Sequence, residues 1–306
     1  MAAVVAASLA AAAVVVGAAA LGGDEPGRQL QPRAGLPPLS LQLGVRTDAE
    51  ARDLRRAAQL YGKGRRAQAR TVFARYDSLE ARVGALLTDW PGDSLDRLER
   101  LATLHPRSGV VQLNLGLARL WAAKGDPRQA WRRAVERAPD TPYAVTASDL
   151  LHPEFARGVP IYVPRSPAPA EIAELSPPRQ FAALRARATR SVADRLLYGV
   201  ALQRLGRARS AEQVYAEAAK LAPDDPDTQT AAAVGRFTKD DPSRAFSRLG
   251  PLTQRFPHAA TVRFHLGLLL LWTGQVKEAK KQLKLASAER GDPLARQAER
   301  FLARLP

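Results

Sequence analysis

The sequence predicts an all-α protein in which antiparallel helical hairpins stack into a solenoid. Three observations predict it. From about residue 48 onward Ala, Leu, Arg and Glu dominate and alternating β-branched runs are scarce, which favours helix over strand. In the last third, small and apolar residues recur every 34 positions, in copies starting near Val192, Pro226 and Ala260. Gly206, Pro223, Pro257 and Gly274 fall where one helix must end and the next begin.

The N-terminal stretch comes first in chain order. Residues 1–23 hold an uncharged, Ala- and Val-rich run from Ala2 to Leu21, followed by Gly22 and Gly23. About twenty apolar residues in a helix reach ~30 Å, the thickness of a bilayer core. Two readings are open: a transmembrane helix or signal anchor that is kept, or a signal peptide cleaved near Ala18 and Ala20. Residues 24–47 are rich in Pro and Gly and have no helical period, so they read as an extended linker.

Helical hairpins follow. Residues 48–140 hold the N-terminal repeats, with Gly64, Ala69, Phe73 and Tyr76 marking the first turn and second helix, and Leu115, Gly116, Trp131, Ala134 and Pro139 marking a later copy. Residues 141–191 read as a degenerate repeat split by a Pro-rich insertion at 152–178. Residues 192–293 hold three repeats in register. In the first, Gly199, Leu202, Ala211, Tyr215, Ala218 and Pro223 set the pattern; the third answers with Gly267, Gly274, Ala279, Leu283 and Ala286. The middle copy is looser and keeps Ala233, Ala245, Leu249, Leu252 and Pro257. Residues 294–306 form an amphipathic helix that would cap the open end. The count is about seven hairpins plus the cap.

This pattern resembles the tetratricopeptide repeat (TPR), of a bacterial, membrane-anchored type. Small residues such as Gly199 and Ala211 let the two helices of a hairpin approach, Tyr215 fills the space beside them, and the proline stops the second helix. The family's tryptophan in the first helix is missing: Arg195 and Arg263 stand in its place. The resemblance implies a non-enzymatic scaffold that binds a protein or peptide in a concave groove lined by first helices. Its lining here would be Val110, Leu113, Leu117, Leu120 and Trp121; Ala193, Leu196, Val200, Gln203 and Arg204; and Thr261, Phe264, Leu268, Leu271 and Trp272. That groove is apolar and aromatic and suits an apolar or amphipathic partner segment. Equally open is an internal filling by the strip Ile161-Tyr162-Val163 of the insertion. Some relatives grip a C-terminal carboxylate with Lys and Asn; only Asn114 and Arg204 approach that set.

Composition narrows the chemistry. With 306 residues and no cysteine, the chain has no disulfide, thiol nucleophile, Cys-based zinc site or lipidated cysteine. The four histidines, His105, His152, His258 and His265, make no metal-site pair, and no nucleotide, hydrolase or metalloprotease motif is present beyond a G-x-G-x-x-A look-alike at Gly62–Ala67 that lacks its strand. No cofactor, metal or catalytic residue is expected. The net charge of +16 rests on 46 basic residues of which only eight are Lys, so codon bias towards Arg contributes. The Arg clusters at Arg52–Arg56, Arg65–Arg70 and Arg128–Arg137 read as solvated faces or as a surface attracted to anionic lipid; nucleic acid is not expected. The expectation is therefore a single-pass membrane protein with its solenoid on the extracytoplasmic side, acting as an adaptor. The alternative is a regulatory or chaperone-like subunit of an envelope-biogenesis enzyme complex.

Overall fold

The computed structural model describes residues 31–305, which contain sixteen helices and no strand. The chain divides into two compact units, meeting between Pro153 and Glu154. No helix among the described residues is long and apolar enough to cross a membrane. The hydrophobic helix expected at 1–23 lies outside the described residues.

Unit 1 contains α1 (Ala49–Gly62), α2 (Arg66–Phe73), α3 (Leu79–Thr88), α4 (Ser94–Leu104), α5 (Gly109–Ala122), α6 (Pro127–Arg137) and α7 (Pro142–Leu151). The first six pair as three consecutive hairpins, and α7 packs on α5 and α6. Asp48, Ser78, Ser108, Asp126 and Thr141 cap their helices by accepting a backbone N–H with the side chain. Gly116 of α5 lies so close to Trp131 of α6 that an added Cβ would stand 2.2 Å from the indole Nε1. Trp131 is fully buried there and donates its N–H to the Leu113 carbonyl at 3.3 Å.

Unit 2 contains α8 (Ala170–Ala173), α9 (Pro177–Arg187), α10 (Val192–Arg204), α11 (Ala208–Leu221), α12 (Pro226–Val234), α13 (Ser243–Arg255), α14 (Ala260–Trp272), α15 (Val276–Ala288) and α16 (Pro293–Leu302). The pairs α10–α11, α12–α13 and α14–α15 are the three repeats at the 34-residue spacing, and α16 packs on α14 and α15. Gly199 sits against Tyr215 as Gly116 does against Trp131, and Gly267 against Leu283. The turns between the paired helices pass through Gly206 and Gly274, at φ 70° and 75°, where a side chain would be strained. The two helices expected to form a fourth repeat fall in different units: α7 belongs to unit 1 and α9, packed on α10, to unit 2.

Two extended segments complete the units. In unit 1, residues 33–44 of the Pro/Gly-rich stretch lie against the helices, with Leu39 and Leu43 in the same buried cluster as Leu113, Leu117 and Leu120. In unit 2, residues 158–165 of the insertion do the same, with Tyr162 only 1% exposed. Alternating Leu39, Leu41 and Leu43 has the period of an extended chain, which buries every second residue.

Candidate protein-binding grooves

In unit 1 the extended segment runs antiparallel to α5. Arg33 donates its backbone N–H to the Trp121 carbonyl at 2.8 Å, and the Trp121 indole donates to the Ala34 carbonyl at 3.3 Å. The Tyr61 hydroxyl donates to the Pro37 carbonyl at 2.6 Å. Asn114 grips both backbone groups of Ser40: its Oδ1 accepts from the N–H and its Nδ2 donates to the carbonyl, each at 2.9 Å. The Tyr143 hydroxyl accepts from the Gln42 N–H at 3.1 Å. Because Ser40 is buried, these bonds are required to offset the desolvation of its backbone.

Unit 2 repeats the device with different side chains. Gln203 accepts the Tyr162 N–H on Oε1 at 3.0 Å and donates Nε2 to the Pro160 carbonyl at 3.3 Å; the same Oε1 accepts from the Tyr215 hydroxyl at 2.9 Å. His265 Nε2 accepts the Val163 N–H at 2.9 Å, while Nδ1 lies 2.7 Å from the Thr261 carbonyl. These contacts require the neutral ring protonated on Nδ1. Burial holds the His265 pKa down to about 4, against a smaller upward pull from Thr261. The Tyr162 ring stacks on His265 with centroids 4.8 Å apart. At the segment's end Arg165 reaches Asp292 at 2.8 Å and Asp227 at 3.7 Å. Burial raises the Asp227 carboxyl above the usual carboxylate range. Its Oδ1, the Tyr162 hydroxyl and the Thr261 hydroxyl are buried without a well-formed hydrogen bond.

The expected groove residues therefore have mixed fates. Leu113, Leu117, Leu120, Gln203 and Phe264 are buried, in units where the chain's own segment covers the groove. Trp121, Leu268, Leu271 and Trp272 keep partial exposure, and Arg204 is exposed. Of the two readings of the groove, the internal strip Ile161-Tyr162-Val163 is the one the structure realises in unit 2. In unit 1 the filling segment lies in residues read as a linker, whose period-two Leu pattern was the available signal. His265, read as a helix residue that could face the groove, holds the strip. Gly62 to Gly64 form the turn between α1 and α2, preceded by a helix, so the dinucleotide-loop look-alike lacks its strand. Arginines of the basic clusters are partly engaged: Arg55 donates to the Gly44 carbonyl, Arg66 to those of Thr88 and Trp90, and Arg70 pairs with Asp89 at 2.7 Å.

Where the unit 1 segment meets Trp121 the groove remains open as a cleft of about 630 Å³. Trp90, Trp121, Pro32, Pro91, Leu36 and Leu95 line it, with Arg33, Arg66 and Lys124 among its cations. Arg33 stacks over the Trp121 ring at 5.1 Å, and Lys124 pairs with Asp96 at 3.4 Å. Among the described residues no group of three or more His, Asp or Glu is placed to hold a metal ion.

A family model for the tetratricopeptide repeat matches residues 237–306, from the residue before α13 through α16. Together with the stacked hairpins, that match supports a TPR protein, a class whose repeats generally mediate protein–protein interaction. No curated protein matches the chain.

Proposed function

We propose that this chain is a membrane-tethered, non-enzymatic scaffold. A partner's extended apolar segment, flanked by acidic residues, docks in the cleft at Trp90 and Trp121. The observation that carries the reading is the unit 1 segment itself. Helix α5 already holds an extended Pro-Pro-Leu chain through side-chain contacts to its backbone, and the cleft continues that track with two tryptophans and a basic rim. Aromatic anchors and proline-compatible surfaces are what extended-peptide recognition requires, and cations at the rim favour an acidic partner.

The uncharged run in residues 1–23 supplies the tether in this reading, and the solenoid stands on the extracytoplasmic side. A reporter fused after Pro306 and active only in the cytoplasm would refute that side. For the cleft, crosslinking of the full chain in native membranes is the measurement. Trp121→Ala combined with Lys124→Glu should remove the crosslinked partner while the far-UV circular dichroism stays unchanged. Equal capture by this variant rejects the cleft. An enzyme as the captured partner would make the chain a regulatory subunit of that enzyme.

A further inference from the structure

Each helix-stopping proline in these repeats leaves one carbonyl stranded. A proline has no N–H, so the carbonyl four residues before it loses its helical donor. In unit 2 the next first helix repairs this six residues after the proline. Pro223 strands the Ala219 carbonyl, and Gln229 Nε2 donates to it at 3.0 Å. Pro257 strands that of Thr253, and Arg263 Nη2 donates to it at 3.1 Å. These are the positions where the TPR tryptophan is missing.

In unit 1 the same register places Pro106, the Ala102 carbonyl and Gln112 together, and the repair is absent. Among the described residues no donor reaches the Ala102 carbonyl. Gln112 is 1% exposed, and its Oε1 is buried with no partner. A cleft of about 410 Å³ opens at this point, with α5 as its floor and α4 and α6 as its walls. Its α4 wall carries acceptors: the Ala102 carbonyl and Glu99, whose Oε1 is taken by Arg119 at 2.9 Å while Oε2 has no ion pair. Its α6 wall carries Arg133 and Arg137, one helical turn apart and without ion pairs among the described residues.

We propose that this cleft binds a short zwitterionic peptide, about a dipeptide in size. The ammonium end meets Glu99 Oε2, the Ala102 carbonyl and Gln112 Oε1. The carboxylate end meets the guanidinium groups of Arg133 and Arg137. A simple anion would leave the acceptors unpaired and face the negative end of the α4 dipole, whereas a dipolar ligand satisfies both walls. The ligand takes the place that Gln229 and Arg263 fill in the later repeats.

The test is calorimetric titration of the full chain with glycyl-leucine at neutral pH. The N-acetylated, C-amidated dipeptide and inorganic phosphate serve as the two comparison ligands. Saturable binding of glycyl-leucine is expected, with at least about tenfold weaker binding in Arg133→Gln/Arg137→Gln. Gln112→Arg should also abolish binding, because it donates to Ala102 as Arg263 does to Thr253; its retained circular dichroism separates loss of the site from loss of the fold. No heat with glycyl-leucine at about 10 mM, equal binding by the capped dipeptide, or binding unchanged in the Arg variants each overturns the proposal. Phosphate binding as tightly as the dipeptide would reduce the cleft to a simple anion site and overturn it too.

Discussion

His265 holds the unit 2 strip with both nitrogens of a neutral ring, and that makes the strip sensitive to acid. The unfolded chain takes up this proton near pH 6.5, the folded chain only near pH 4. Stability therefore falls as pH drops through that window and levels off beneath it, by about 3 kcal/mol at full extent. Urea midpoints taken between pH 7.5 and 4 should show the fall in the wild type, and His265→Gln should flatten it. An unchanged slope in the variant would assign the effect to another group. Gly199 offers a second test of local packing. A Cβ there would stand 2.2 Å from the Tyr215 ring, which is itself fully buried and bonded to Gln203. Gly199→Ala should lower stability by about 1–3 kcal/mol despite its better helix propensity, because overpacking outweighs the backbone gain. A raised urea midpoint would contradict that geometry.

The extended segments behave as parts of the helical elements they cover. Asn114 binds Ser40 through two bonds and the Val110 carbonyl through a third, at 2.8 Å. Removing the amide leaves both backbone groups of Ser40 buried and unpaired. Asn114→Ala is expected to cost about 3 kcal/mol and to speed amide exchange at Ser40 well above that of the α5 interior. Hydrogen exchange followed by NMR checks it; slow exchange at Ser40 in the variant would mean that Leu39 and Leu43 hold the segment without the clamp. The glutamine at 203 plays the equivalent part in unit 2, so the amide clamp recurs although the two segments share little sequence.

For the molecule as a whole, charge and tether are separable influences. The net charge of +16 attracts anionic lipid through a screened interaction, whereas an apolar span does not respond to salt. On the proposed tether, the intact chain should stay in the membrane fraction at high salt and the chain lacking residues 1–23 should leave it. Sedimentation across a salt series reads this directly, and release of the intact chain by salt alone would remove the tether. The basic faces are not uniformly free: Arg66, Arg119 and Arg187 are tied to carbonyls or carboxylates within their units. Their electrostatic reach is accordingly smaller than the formal charge suggests.

Helices, turns and close approaches were readable in the residues because they depend on near neighbours. Gly199 with Tyr215 and Gly267 with Leu283 sit 16 positions apart, at the repeat spacing, and Gly206 and Gly274 fall at the turns. The fate of the groove was not readable in the same way. Gln203 and Arg204 are adjacent, yet about 100° of helical rotation buries one under the strip and leaves the other exposed. Residues 33–44 carry no helical signal, and nothing local distinguishes a free linker from a packed one. Their place is decided by partners such as Asn114, 74 positions from Ser40, as Val163 is decided by His265 at a separation of 102. Local propensity specifies the hairpins; burial of backbone groups against distant side chains specifies which face of them stays open.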